Sequence, residues 1–247
     1  MRINRAWLAV GIVSTAFLFT SAPSAYAQTM CLGQLATIVG TSGDDVLAGS
    51  PGNDVIAGLE GNDVISGGMG DDLICGNEGN DRVGAGFGND QVSGWLGADR
   101  LGGGDGNDLL FGEFGADELF GGEGLDRIYG GDGNDLIEGA DGSDLINGGG
   151  DRDIIFAGDG GNEVYGGEGF DTIWGGPHGD RLFGGTDRDI IRGGHGADSV
   201  FGNSGDDSLF GGFGKDRLGG GSGFDRCDGG RGVLDTASSC EVRLRIP

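Results

Sequence analysis

The feature that most limits what this chain can fold into is a nine-residue period. Residues 130–138, GGDGNDLIE, are one copy; Asp135 recurs as Asp126 and Asp144, and Ile137 as Ile128 and Ile146. The register runs without insertion from Asp45 to Asp225, giving 21 frames of the form G-G-x-G-x-D-x-U-x, where U is aliphatic. Glycine fills the first position in 19 frames (not Ala85 or Ala157) and the fourth in 18 (not Asp151, His178 or Asp187). The sixth position is aspartate except at Asn162, and the eighth is Leu, Ile or Val in 20 frames and Cys227 in the last. A helix is ruled out by the glycine content alone.

Each frame reads as a six-residue turn followed by a three-residue strand. The eighth side chain points inward and its neighbours outward. The fifth position is often Asn or Asp and never Val, Ile or Thr, which fits a residue that must tolerate positive φ. One frame alone buries almost nothing. Two frames, 18 residues, make a coil with two short strands whose aliphatic residues face each other, and stacked coils then form two parallel sheets around a thin apolar ladder.

Outside the register, residues 1–27 carry Arg2 and Arg5, an apolar run from Ala6 to about Thr20, and a closing Ala25-Tyr26-Ala27. That is the pattern of a cleaved secretory signal peptide, and the apolar run is short for a membrane span. No other run is long enough to cross a bilayer, so the mature chain is expected to be exported and without a span. Residues 28–39, with Leu32, Leu35, Ile38 and Val39, read as an N-terminal cap over the open end of the stack. The roll is assigned to residues 40–228 and a C-terminal cap to 229–247, where residues 229–235 look like a further frame with one residue inserted and Val242, Leu244 and Ile246 alternate.

The formal charge of −25 becomes −27 once Arg2 and Arg5 are removed. Such a chain repels nucleic acid and anionic lipid and attracts cations. Half of the 40 acidic residues are the register aspartates, so the charge is periodic rather than scattered. In stacked coils Asp135 lies between Asp117 and Asp153, about 4.8 Å from each. Carboxylates at that spacing repel by roughly 1 kcal/mol in water and by several times that when shielded from it. A column of them needs neutralising, and the same turns offer glycine carbonyls with no side chain in the way. Carboxylate plus carbonyl oxygen, several per site and flexible in geometry, suits Ca²⁺; Mg²⁺ demands a tighter octahedron and keeps its water.

The frames resemble the RTX (hemolysin-type) nonapeptide repeat, and the flanking cysteines and caps look like its short secreted actinobacterial-type members. The resemblance covers residues 40–228 and implies an all-β, right-handed parallel β-roll with Ca²⁺ held between successive turns. It also implies that the position-six aspartates are ligands: Asp45, Asp54, Asp63, Asp72, Asp81, Asp90, Asp99, Asp108, Asp117, Asp126, Asp135, Asp144, Asp153, Asp171, Asp180, Asp189, Asp198, Asp207, Asp216 and Asp225. Departures from the pattern cluster near Asn162, so the sites pairing Asp144, Asn162 and Asp180 are expected to bind Ca²⁺ last and to exchange amide hydrogen fastest. One aliphatic side chain per frame is a thin core against the entropy of ordering so much glycine, so the metal-free chain is expected to be largely disordered.

The four cysteines, Cys31, Cys75, Cys227 and Cys240, fit an oxidising compartment and form no zinc pattern. Three pairings are open; Cys31–Cys75 with Cys227–Cys240 is favoured because each bond would close one end of the array. Aromatic residues recur at the ninth position, among them Phe111, Tyr129, Phe156, Tyr165, Trp174, Phe183 and Phe201. They read as packing at strand ends rather than as a stacking surface for sugars.

The sequence contains no H-E-x-x-H, G-x-S-x-G or G-K-[ST] motif. The two histidines, His178 and His195, stand in turns and read as turn-filling polar residues. Acidic pairs of the kind glycosidases use are plentiful, but they fall in the aspartate register, which already accounts for them. The expected function is that of a secreted calcium-binding structural or interaction module without catalysis, its partners calcium ions and an extracellular-matrix or cell-surface component. The alternatives are a Ca²⁺-dependent adhesin, or an accessory module of a secreted hydrolase or toxin system. Only twelve residues separate the cleavage site from the first frame, which leaves little space for a catalytic domain there.

Overall fold

The computed structural model describes residues 29–231 and 234–246. The expected signal peptide lies outside the described residues. Two twelve-stranded sheets hold almost all of the extended chain, and sequential strands alternate between them. The first sheet runs from Ile38–Val39 to Thr236–Ser238, and the second from Val46–Ala48 to Val242–Leu244. Neighbours within each sheet are parallel and 18 residues apart, as in Ile128↔Ile146 and Leu119↔Ile137, except the last pair of each sheet, which is 19 and 16 apart. The chain is therefore a parallel β-roll of about 11 coils, all-β, and no helix among the described residues is long and apolar enough to cross a membrane.

The position-eight side chains form a single file between the sheets. From Ile56 to Leu218 they are buried, most of them completely. Ile38 and Leu47 pack on this file at one end, and Ala237 and Cys240 at the other. Cys227 takes the aliphatic place in the last regular frame and is bonded to Cys240, so a covalent link ends the core.

The strands are longer than the three residues expected. Most span six, as in Leu109–Phe114, because parallel pairing resumes after the position-one glycine and continues through positions two and three of the next frame. Positive φ falls at positions two and four, not at five. Leu59 (93°), Asn77 (78°), Trp95 (84°) and Glu113 (78°) take it at position two, and Gly133 (137°), Asp151 (70°) and Asp187 (71°) at position four. The two left-handed residues bend the chain within three residues, so the turn is tighter and the sheet wider than composition suggests.

The N-terminal hairpin, Met30–Cys31 with Gln34–Leu35, lies on the outer face of the first sheet rather than across the open end. There Cys31 is bonded to Cys75, and Cys31 and Leu32 cover Leu73, Cys75 and part of Val55, which point outward from positions seven and nine. The apolar side chains at those outward positions give the hairpin a surface to bury.

Candidate metal centre

The position-six residues form two columns, one along each edge of the roll. Within a column, the backbone N–H of each residue donates to Oδ1 of the residue 18 further on: Asp117 to Asp135, Asp135 to Asp153, and Asp126 to Asp144, at 2.8–2.9 Å. One column runs from Asp45 to Asp225 and the other from Asp54 to Asp216, with Asn162 continuing the second. From Asp63 onward each register carboxylate therefore has one oxygen fixed by the preceding coil.

The other oxygen differs along the columns. From Asp63 onward the register aspartates are at most 2% exposed, and Oδ2 of each has no hydrogen-bond donor. Asp235 shares this state. At the first frame of each column the oxygen is satisfied instead. Asp45 Oδ2 accepts the Thr41 N–H (2.5 Å) and hydroxyl (2.9 Å), and Asp54 Oδ2 accepts the same pair from Ser50. Of the twenty aspartates read as ligands, these two stand apart from the other eighteen.

Position-one glycine shapes the space beside the bare oxygen. A Cβ on Gly130 would overlap both Asp135 Oδ2 and the carbonyl oxygen of Gly148, one coil on. Carboxylate and carbonyl oxygens from successive coils thus converge beside a backbone that carries no side chain. The donor set is hard oxygen throughout, and the unmatched lone pairs are buried. Such a set fits a divalent cation that prefers oxygen and accepts irregular geometry.

The electrostatics point the same way. Burial pushes the Asp135 carboxyl up to about 6, Asp99 to about 7, and Asp153 and Asp189 to about 8. The N–H donated from the preceding coil draws each partway back, and neighbouring carboxylates add to the rise. Without a counter-cation the columns are held against their own charge.

Two ends of the columns escaped sequence reasoning. Asp216 N–H donates to Asp235 Oδ1 across a step of 19 residues, so Asp235 continues the second column past the insertion. The first column ends when Asp225 N–H donates to Glu241 at 2.6 Å. The signal for Asp235 was the imperfect frame at 229–235; Glu241 has no register to mark it. A second ladder was also missed. Position-five side chains accept N–H groups from the coil that follows, as when Asn80 donates to Asn62 Oδ1 and Ala98 to Asn80 Oδ1. Its sense is opposite to that of the aspartate columns.

The outer faces carry the position-nine aromatics in ladders. Phe156 and Trp174 stack at 4.5 Å between centroids, and Tyr165, Phe183 and Phe201 at 4.9 and 5.4 Å, with planes 8–14° apart. The Arg192 guanidinium sits between Trp174 and Phe210, 5.5 and 5.2 Å from their centroids. His195 stacks on Phe213. The rings use their faces on one another and on guanidinium groups, an arrangement that stabilises the sheet.

A search among curated proteins returned no match. The family described as RTX calcium-binding nonapeptide repeat (4 copies) matches this chain in overlapping segments, the first at residues 39–74 and the last at 192–227, with most of the array in between. With its nine-residue register folded as a β-roll and its carboxylate columns lacking a counter-charge, the chain belongs to the RTX calcium-binding family, whose repeats bind Ca²⁺ at multiple sites.

Proposed function

We propose that the protein works outside the cell as a calcium-dependent structural module, a rod that is ordered when Ca²⁺ fills its turns. The eighteen aspartates from Asp63 to Asp225, together with Asp235, act as the ligands, each through Oδ2 alongside backbone carbonyl oxygen. The observation that carries this reading is the set of buried Oδ2 atoms without donors. Ion pairing within the protein does not serve these carboxylates, because the ion pairs of the described residues, such as Arg181–Glu163, lie on the outer faces or in the C-terminal segment. Affinity near the ~10⁻⁴–10⁻³ M range of extracellular modules suits the role, since such sites fill outside the cell and empty inside it.

Export is supported by the N-terminal pattern Arg2, Arg5 and Ala25-Tyr26-Ala27, and by two disulfides that suit an oxidising compartment. The roll acts without catalysis in this reading: its buried carboxylates are spaced as a column rather than set about a cleft. The aromatic ladders present ring edges rather than free faces, which makes them poor platforms for stacking sugars and favours a structural use.

Calcium titration of the full chain by calorimetry, with circular dichroism in parallel, tests the reading. Multiple Ca²⁺ per chain with a rise in strand signal is expected. Strand content and melting behaviour that are identical in chelator and in calcium would overturn it.

A further inference from the structure

One turn in the array is closed by the protein's own groups. Asn162 keeps its place in the second column: Oδ1 accepts the Asp144 N–H, and its own N–H donates to Asp180 Oδ1, both at 2.8 Å. The other branch of its side chain is an amide nitrogen. That nitrogen faces the carbonyl oxygens of Gly158, Asp159 and Gly160 at 3.4–3.5 Å, three acceptors around one donor group. The distances are long for hydrogen bonds, as expected when a single NH₂ group is shared among three carbonyls. In an aspartate frame the same branch is a carboxylate oxygen with no donor.

Two more contacts hold this turn. The Gly160 N–H donates to His178 Nδ1, and the Gly161 N–H to Ser143 Oγ, each at 3.1 Å. In regular frames the position-four N–H goes instead to a backbone carbonyl of the next coil, as from Gly79 to Leu96. The extended segment entering the turn is also cut short. Ile154–Phe156 has three residues, where its neighbours Leu136–Gly142 and Thr172–Gly176 have seven and five. Ser143, from the coil before, continues the position-five ladder, whereas His178, from the coil after, takes an N–H that other frames give to backbone, so this turn has its own backbone path.

We propose that the turn at residues 157–165 is a cation-free closure. The Asn162 amide supplies the positive pole that Ca²⁺ supplies to the aspartate turns, and this turn keeps its shape before metal arrives. The second column is thereby divided into two calcium series, one ending at Asp144 and one beginning at Asp180. The assignment reverses the expectation from sequence, in which Asn162 marked the softest region. It places in the interior the same economy seen at the first frames, where Thr41 and Ser50 satisfy Asp45 and Asp54. The proposal rests on the reading that the position-six aspartates ligate Ca²⁺.

The test is hydrogen exchange on the full chain across a calcium series from chelator to saturation, paired with calorimetric stoichiometry of the wild type and Asn162→Asp. Peptides spanning 157–165 should stay protected at calcium levels where the equivalent turns at 139–147 and 175–183 have opened, exchanging at least about tenfold more slowly. Asn162→Asp should bind one more Ca²⁺ per chain and lose that advantage. Ser143→Ala, which leaves every charge in place, should lose protection at Gly161 with no change in stoichiometry. Exchange at 157–165 as fast as in the neighbouring turns would overturn the proposal, and that comparison needs only the wild type should Asn162→Asp fail to fold. An unchanged stoichiometry in a folded Asn162→Asp would overturn it too. If the wild type takes up no calcium at all, the ligand reading itself falls, a result distinguishable from failure of the closure alone.

Discussion

Replacing Asp135 with asparagine should stabilise the metal-free roll and remove the share of stability that calcium adds at that site. The side chain keeps its shape, and its Oδ1 still accepts the Asp117 N–H. What changes is the bare Oδ2, which becomes an NH₂ group. In the metal-free roll, burial has raised the Asp135 carboxyl from 3.8 to about 6. A shift of about two units corresponds to roughly 3 kcal/mol, at about 1.36 kcal/mol per unit. The sign follows from the direction of the shift: the folded pKa lies above the unfolded one, so the folded metal-free chain binds the proton more tightly. The penalty is complete above about pH 6 and disappears as pH falls below about 4. Asp135→Asn should therefore stabilise the chelated roll by up to about 3 kcal/mol at pH 7.5 and by almost nothing at pH 4. In calcium the variant loses a ligand. At a free concentration about a hundredfold above Kd, a lost site forfeits about 2.7 kcal/mol. Circular dichroism, read as strand content in chelator and as thermal melts in saturating calcium at both pH values, gives all four comparisons. Equal loss of stability in chelator and in calcium would refute the reasoning, since it would reduce Asp135 to a hydrogen-bond acceptor. The two terms nearly cancel in saturating calcium, so the readout is the gain from chelator to calcium, and a gain in the variant as large as that of the wild type would refute the ligand role.

Two further outcomes follow from the packing. Gly133 has φ 137°, and a Cβ there would run into the carbonyl oxygen of Gly115 one coil away, so Gly133→Ala should destabilise the loaded roll by more than the ~1 kcal/mol range usual for such backbone changes, read as a lower melting temperature in calcium. Selective loss of the Cys227–Cys240 bond, by Cys240→Ser, should cost about 3 kcal/mol in the chain-entropy model and open the C-terminal segment to proteolysis first, with residues 40–200 protected; a uniform digestion pattern would contradict a local role for the bond.

Much of this architecture could be read in the sequence because the period ties each residue to one environment. Ile137 is apolar at position eight in frame after frame and lies in the core; Asp135 is acidic at position six and lies in a column. The two disulfide pairs also join the residues that the ends of the array suggested. What escaped notice depends on the backbone rather than on side-chain chemistry. The left-handed position two is filled by Leu59, Asn77, Trp95 and Glu113 as well as by glycine, so no residue type marks it, and the strands have mostly six residues where three are expected. Position five looked like a place for positive φ because Asn and Asp tolerate it, yet there they serve as acceptors for the next coil. The hairpin could have covered an end or a face, and the choice depended on the outward Leu73 and Val55, which a period of nine does not single out. Glu241 closes a column from outside the repeat, reachable only through the path of the last coil.

The outer aromatic ladders join residues 18 apart, whereas core and columns have the same composition every nine. Deleting a single frame from the middle of the array would leave every remaining aliphatic residue facing the core and every remaining aspartate in a column. Everything beyond the deletion would rotate by half a turn. Were the deleted frame the one between them, Phe183 would no longer stand over Phe201, and Tyr165 or Trp174 would likewise change neighbours if the cut fell between its coil and the next. The interior of this protein thus accepts changes of length in nines, while its surface keeps its pattern only in eighteens. Any partner that reads a face of the rod would detect a slip to which calcium and the core are blind.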